Sequence, residues 1–478
     1  MDLRGKNIAV IGLAKTGLAT TEFLLNRGAR VVATDEKPVS PLGDNLRAAM
    51  IVPHDPGILK GVELVIPSPG VPPANPILME AVRQGVPVWS EIELASRFLK
   101  PPMIAITGTN GKTTTTALIG HILAESGKKA FVGGNIGAPL IGYVDGPQED
   151  DYAVVEVSSF QLQWTESFHP AVAILLNVTS DHLDYHGSFT AYRLTKERIF
   201  VNQSASDVAI LNADDAGTEG LQKQLAARIL RFSSTRVVSP GIYSDNCRMV
   251  FAPSPQERET YPLDMVKIPG RHNVENIMAA IMAVRSCGCD PLAIIAAVET
   301  FPGIAHRIEY VGEYRGISFY DDSKGTNVDA VYRALETFSK PVVLLMGGRD
   351  KEGDFKALIP ILKEKVKGLI LFGEARDAIG SIIGGIVGTH HCPTLQAGIE
   401  TAIDAAATGD VILLSPGCAS FDEFRDYKAR GQFFKDKVKA LLTSMPVAGT
   451  TKHENPPIPP LLKGGKGGFS CKTFKSSS

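Results

Sequence analysis

No stretch of this chain approaches the ~20 consecutive apolar residues of a membrane-spanning helix, which excludes a helical bilayer anchor. An excess of charge of one sign is also missing. The chain has 49 Lys and Arg against 51 Asp and Glu, a net −2, so no electrostatic footprint calls for nucleic acid or a membrane surface. Cysteine is sparse. The six present (Cys247, Cys287, Cys289, Cys392, Cys418, Cys471) show no zinc-ligand spacing, and Cys287 and Cys289 are separated by one residue. Free thiols in a reducing cytoplasm are the expectation. The N-terminus passes into Ile8-Ala9-Val10-Ile11 without the long apolar segment of a secretory signal, which points to the same compartment. Neither G-x-G-x-x-G nor N-K-x-D occurs. This removes the usual dinucleotide fingerprint and a guanine-reading string.

The most informative segment that is present is AITGTNGKTTTT at 105–116. Apolar Ile104-Ala105-Ile106 ends a strand, Gly108-Thr109-Asn110-Gly111-Lys112-Thr113-Thr114 forms a loop, and a helical pattern follows from Ala117 to Leu123. Glycines let backbone N–H groups approach phosphate oxygens, and a helix N-terminus adds positive potential. Lys112 is placed to reach terminal phosphates and the Thr113 hydroxyl to face Mg2+. Ile106 stands where the general G-x-x-x-x-G-K-S/T rule has its first glycine. A Gly-rich turn that only opens a helix is the plain alternative.

A length of 478 residues predicts about three domains. Residues 1–97 open with strand Asn7–Ile11, the turn Gly12-Leu13-Ala14-Lys15-Thr16-Gly17, a helix, and strand Arg30–Ala33 ending at Asp35. That is the order of a Rossmann unit, with a degenerate G-x-A-x-x-G. Ser68-Pro69-Gly70-Val71 follows a further strand, Leu64–Ile66. Pro101-Pro102 marks the passage into a second domain, 98–300, with strand ends at Ala153–Val157, Ala173–Leu176 and Val208–Leu211. A third domain, 301–445, contains strands Ile317–Tyr320, Val342–Leu345, Gly368–Phe372 and Val411–Leu414. Strands alternating with helices predict an α/β protein of three domains: Rossmann-like, P-loop ATPase-like with a parallel sheet, and again Rossmann-like. Residues 446–478, rich in Pro, Gly and Lys, are expected to form a disordered basic tail.

Four further clusters carry chemistry or its bland counterpart. Glu156 ends a strand; it is a candidate Mg2+ ligand, because magnesium prefers hard oxygen, or a solvated strand-end carboxylate. Asn177-Val178-Thr179-Ser180-Asp181-His182-Leu183-Asp184-Tyr185-His186 gathers acids and imidazoles past a strand end, as a site or as a hydrogen-bonded loop. Lys196, in the helical stretch Thr190–Phe200, is by itself an exposed helix lysine. Asn273 and Asn276 share a helix face, suited to a flat polar ligand such as adenine or to capping and packing.

GTNGKTTT, EVSSFQL, NVTSDHLDYHGSFTAY, RHNVEN, AHRIE, DDSKGTN and SPGCASFDEF occur in one order, and as a set they resemble the Mur ligases of peptidoglycan synthesis. The resemblance covers about residues 5–445. It implies an ATP-dependent amide ligase that phosphorylates the carboxylate of a UDP-N-acetylmuramoyl substrate and passes the acyl group to an amino acid. SPGCASFDEF, and the lack of a D-N-P-R string, favour UDP-N-acetylmuramoyl-L-alanine and D-glutamate as the partners. On this resemblance, Lys112, Glu156, His182 and Lys196 are the catalytic set. Gly108, Thr109, Asn110, Gly111, Lys112, Thr113, Thr114, Asn273, Asn276, Arg307 and Asp322 bind ATP. Thr113, Glu156, His182 and Lys196, carbamylated by CO2, ligate Mg2+. Gly12, Leu13, Thr16, Gly17, Asp35, Ser68, Gly70 and Asn135 hold the UDP substrate. Thr326, Lys351, Ser420, Phe421 and Tyr427 hold D-glutamate. A cytoplasmic monomer that binds neither nucleic acid nor membrane completes the expectation. A folylpolyglutamate synthase-like ligase, or a Mur ligase for another amino acid, are the alternatives. The Rossmann-like start before Pro101 argues against the first.

Overall fold

An uninterrupted apolar run sets the first sheet: Ile8, Ala9, Val10 and Ile11 are all fully buried, the pattern of a parallel strand covered on both faces. In the computed structural model, which describes residues 1–37, 46, 49–218, 220–245, 247–254, 256–350 and 353–443, this run is β1 (Asn7–Ile11). It is followed by β2 (Arg30–Thr34), β3 (Met50–Ile51) and β4 (Leu64–Pro67), in the order β3-β2-β1-β4. All three pairings are parallel. Gly12 leaves β1 with φ +86°, in the region that favours glycine. Gly17, in the helix Lys15–Asn26, packs so closely that a Cβ would lie 1.8 Å from the Gly12 carbonyl oxygen. The two glycines of the degenerate fingerprint are therefore required by the turn itself.

The central sheet has nine strands: β5 (Met103–Thr107), β6 (Ala130–Gly134), β7 (Tyr152–Glu156), β8 (Val172–Leu175), β9 (Val208–Asn212), β10 (Arg228–Ser233), β11 (Gly241–Asp245), β12 (Arg248–Ala252) and β13 (Glu259–Pro262). Their order is β13-β12-β11-β10-β9-β8-β5-β7-β6, and from β6 through β11 each pairing is parallel. The order reverses at β5, with β7 on one side and β8 on the other. Ligands of open α/β sheets bind beyond the carboxyl ends at such a point. Register pairs Ile106 with Glu156 and Thr107 with Leu175. The phosphate loop, Glu156 and the segment after β8 are thereby neighbours.

The third sheet has β14 (Glu309–Tyr314), β15 (Ile317–Asp321), β16 (Val342–Gly347), β17 (Val366–Phe372), β18 (Gly388–Cys392) and β19 (Val411–Gly417), ordered β14-β15-β19-β16-β17-β18. β14, a strand absent from the sequence reading, pairs antiparallel with β15; the other pairings are parallel. The two-residue turn Arg315-Gly316, with both φ positive, closes this hairpin. By contacts the described residues form two units, those within 1–243, 250–261 and 276–297, and those within 244–249, 262–275 and 298–443. Lys351 and the tail 446–478 lie outside the described residues. Cys287, Cys289, Cys392 and Cys418 are buried free thiols. Among the described residues no helix is long and apolar enough to cross a membrane.

Within the first unit, the first and central sheets share one continuous core through Ile92, Leu94 and Ala95 of the helix Glu91–Ser96. Glu93 anchors that helix. Its carboxylate, fully buried, accepts from the backbone N–H groups of Glu166, Ser167 and Phe168 at 2.9–3.1 Å, from Ser167 Oγ at 2.6 Å and from Arg97 Nε at 2.7 Å. Burial pushes the carboxyl up, but these donors outweigh it and hold it below the ordinary 4.5. A depressed folded value means that the stabilisation is complete above about pH 4.5 and is lost as pH falls through the folded value. Glu93→Ala is expected to cost about 3 kcal/mol at pH 7, because it strands several donors, and much less at pH 3. Urea unfolding at both pH values checks this; an equal loss at both would refute the carboxylate anchor.

Candidate functional site

The phosphate loop is braced from β8. Asn177 O accepts from Thr109 N and Asn177 Oδ1 from Asn110 N, both at 2.9 Å, while Asn177 Nδ2 donates to Asn110 O at 3.1 Å. Thr109 Oγ1 donates to Thr179 O and accepts from Thr179 N. Gly111 has φ +88°, and a Cβ there would lie 2.3 Å from Asn276 Oδ1, which places the predicted Asn276 against the loop. Lys112 Nζ donates to the carbonyls of Gly108 (2.7 Å) and Thr109 (2.8 Å). Thr113 and Thr114 are buried at the start of the helix Lys112–Glu125.

Lys196 is not the exposed helix lysine of the plain reading. It is 1% exposed on the helix Phe189–Glu197, and its Nζ donates to the same Gly108 carbonyl at 2.9 Å. Burial, then the neighbouring Lys112 charge, hold its ammonium well below the ordinary range; Asp181 and Glu156 oppose the shift. Its Nζ lies 4.5 Å from the centre of the Tyr192 ring, and that ring is 6.4 Å from the His182 imidazole. His182 is held in the left-handed region, φ +54°, and packs edge-on against Phe160 at 4.8 Å. Glu156 is 2% exposed. Its Oε1 accepts from Asn135 Nδ2 at 2.9 Å, and its buried Oε2 has no hydrogen-bond partner. A buried carboxylate oxygen so placed suits a hard cation. Asn135, assigned to the muramoyl substrate by resemblance, here orients Glu156.

In the turn after β1, Asp35 Oδ2 accepts from Leu13 N at 2.7 Å and Oδ1 from Lys37 N at 2.9 Å. The Leu13 N–H is the main reason the Asp35 carboxyl sits below its ordinary range. The Leu13 side chain belongs to the core. Ser68 Oγ donates to Gly12 O at 2.8 Å, which joins the two predicted nucleotide turns. Thr16 is half-buried beside them, and Gly70 has open space around it. Tyr185 OH donates to Val71 O at 3.2 Å and ties the loop after β8 to the second turn.

The second unit holds the remaining predicted residues. Asn273 Nδ2 donates to Pro269 O at 2.6 Å. Asp322 is buried and accepts from Ser415 Oγ at 2.7 Å; burial pushes its carboxyl up to about 7. Arg307 stands between His306 and Ile308, both with positive φ, and its Nε is buried without a hydrogen-bond partner. Thr326 and Tyr427 are half-buried, Ser420 is buried, and Phe421 is 61% exposed. His306, Glu309 and Asp321 bring ligand-type atoms within 4.8 Å. His306 Nδ1 is engaged with Asp321 Oδ2, however, and Lys435 Nζ with both Glu309 oxygens.

Three family models match this chain in order: the Mur ligase MurD-like N-terminal domain over residues 6–90, the Mur ligase middle domain over 106–284 and the Mur ligase glutamate ligase domain over 306–418. The chain is 56% identical over 448 residues to the UDP-N-acetylmuramoylalanine--D-glutamate ligase of Syntrophus aciditrophicus, covering 92% of this chain and 99% of that one. This chain belongs to the Mur ligase family. The ligase of the same name from Geobacter metallireducens is 44% identical, with 93% and 99% covered. Among solved structures, the pseudomurein peptide ligase type C of Methanothermus fervidus shares the fold at a TM-score of 0.59 and 18% identity, over 91% of this chain and 100% of that one.

In this Mur ligase, sequence reasoning left Asn177 and Tyr192 out of the site, although Asn177 stood inside a string already singled out. A polar residue directly after a buried strand next to a phosphate loop was the available signal. Asn177→Ala removes both side-chain bonds to the loop and is expected to weaken nucleoside triphosphate binding about tenfold, the equivalent of one to two hydrogen bonds. Calorimetric titration checks this; unchanged affinity would show that the loop holds its shape alone.

Proposed function

We propose that this Mur ligase joins D-glutamate to UDP-N-acetylmuramoyl-L-alanine, with ATP converted to ADP and phosphate, in peptidoglycan synthesis. The reading is carried by the 56% identity, over 99% of its length, to a relative named for that reaction. The substrate carboxylate attacks the γ-phosphorus; the new O–P bond forms as the bond to the ADP oxygen breaks. The amine of D-glutamate then attacks the acyl carbon, a proton is lost from nitrogen, and phosphate leaves. Carboxylates are poor acyl donors, so phosphorylation supplies the leaving group, and the protein's share is positioning and charge stabilisation.

Residues 108–114 cradle the phosphates in this scheme, and Lys112 moves its ammonium from loop carbonyls to phosphate oxygen. Asn273, Asn276, Arg307 and Asp322 are further ATP contacts. The partnerless Glu156 Oε2 fits a Mg2+ ligand, with Thr113, His182 and Lys196 as the others. When bound, magnesium neutralises phosphate charge. The depressed ammonium of Lys196 supports its carbamylation: a neutral amine attacks CO2, an N–C bond forms, and a proton leaves, turning a cation into an anionic oxygen ligand. Gly12, Leu13, Thr16, Gly17, Asp35, Ser68, Gly70 and Asn135 shape the UDP-substrate site, with Asp35 acting through the Leu13 backbone. Thr326, Lys351, Ser420, Phe421 and Tyr427 take D-glutamate. Domain limits at 97, 300 and 445, a monomeric state and a cytoplasmic location belong to the same reading.

Phosphate release with UDP-N-acetylmuramoyl-L-alanine and a panel of D- and L-amino acids tests it. D-Glutamate is expected to be the preferred acceptor; preference for L-alanine or a diamino acid would replace this reading with that of another Mur ligase. Lys196→Ala is expected to lower kcat about 10²–10³-fold, the scale of one lost electrostatic stabiliser, with partial recovery in acetate. Wild-type turnover without added carboxylate would dismiss the carbamate.

A further inference from the structure

Arg430 belongs to no motif singled out in the sequence, yet among the described residues it is the largest fully buried side chain. It projects from the helix Tyr427–Thr443 beneath the carboxyl ends of three adjacent strands of the third sheet. Nε donates to Ser323 Oγ (3.0 Å), after β15. Nη2 donates to Ser323 O (2.9 Å) and to Cys418 O (3.1 Å), after β19. Nη1 reaches Gly347 O (3.5 Å), at the end of β16. Every acceptor is neutral, although a buried guanidinium ordinarily sits on a carboxylate. Burial pushes the guanidinium pKa down, to about 10.

What the guanidinium joins is informative. Ser323 Oγ in turn donates to Tyr427 O at 2.8 Å, and Ser323 precedes Thr326 by three residues. Cys418 is two residues before Ser420, and the loops after β16 and β19 are clasped by the reciprocal Arg349–Ala419 backbone bonds at 2.9 Å. Gly431 keeps the helix seated: a Cβ there would lie 2.2 Å from His306 Nδ1 and 2.6 Å from Asp321 Oδ2. The helix cannot rise without losing all of these contacts together. A planar fork with several donors can hold three loops at once, whereas a lysine ammonium on a flexible stem cannot reproduce that geometry.

We propose that Arg430 is a positioning residue of the amino-acid subsite, locking the loops after β15, β16 and β19 so that Thr326, Ser420 and Tyr427 converge on the incoming amino acid. The inference rests on the D-glutamate reading above. Its test is steady-state kinetics of the full chain, Arg430→Lys and Ser323→Ala, with each of the three substrates varied in turn. Arg430→Lys is expected to raise KM for D-glutamate about tenfold, the equivalent of one hydrogen bond to a charged group. KM for ATP and for the UDP substrate should stay within about twofold of wild type. Ser323→Ala, which removes only the hydroxyl relay, should move the same constant about threefold, toward the lower end for a single hydrogen bond. A purely structural arginine would lower the melting temperature and the active fraction without a selective change in KM; that pattern, or an equal rise in all three constants, overturns the proposal. If Arg430→Lys does not fold, Ser323→Ala decides alone: a selective rise supports the proposal and an unchanged KM overturns it. Wild-type protein that releases no phosphate with D-glutamate would instead fail the parent reading.

Discussion

Two lysine ammonium groups meet at one carbonyl oxygen, that of Gly108, and much of the first unit is arranged around this encounter. Like charges at such proximity in a buried site are unfavourable unless one is neutralised or an anion arrives. Both remedies are chemically useful. In the proposed function a triphosphate is the anion for Lys112, and carbamylation is the proposed fate of a neutral Lys196. Glu156, with one oxygen held by Asn135 and the other without a partner, adds the complementary negative charge. The site is therefore electrostatically unsatisfied by itself, which is the condition for strong ligand binding rather than for stability.

Sheet order makes this encounter possible. β5 lies where the strand order of the central sheet reverses, so segments following β5, β7 and β8 emerge side by side. Asn177 uses that adjacency to hold the loop, and the aromatic group Phe160, His182, Tyr185, His186 and Tyr192 packs beside it. Tyr185 and Ser68 extend the brace to the turns of the first sheet, and Glu93 fixes the helix between the two sheets.

The third sheet repeats the logic with a different keystone. β19 lies between β15 and β16, and the segments after these strands are joined from beneath by Arg430 rather than by a loop asparagine. Both units place backbone carbonyls around a buried cation. In the first the cations are themselves proposed ligand contacts; in the second the cation holds loops that carry the proposed amino-acid contacts.

The strand–loop–helix around 105–125, the Gly12–Gly17 turn and the acidic and imidazole string at 177–186 were legible in the sequence because each is local. A glycine that must adopt positive φ, a lysine opening a helix and an apolar run of four residues announce themselves within a dozen positions. The antiparallel β14 was not legible, because its residues are only half-buried and carry no strong apolar signal. Lys196 and Arg430 were opaque from local pattern. A lysine or arginine on a helix has the same local signature whether solvated or buried, and Lys196 entered the site only through family resemblance. Only the tertiary structure decided that Lys196 points at a carbonyl 88 residues away in sequence and that Arg430 reaches one 107 residues away. Burial and charge compensation are set by what distant segments bring, whereas turn geometry and helix initiation are set by the residues themselves.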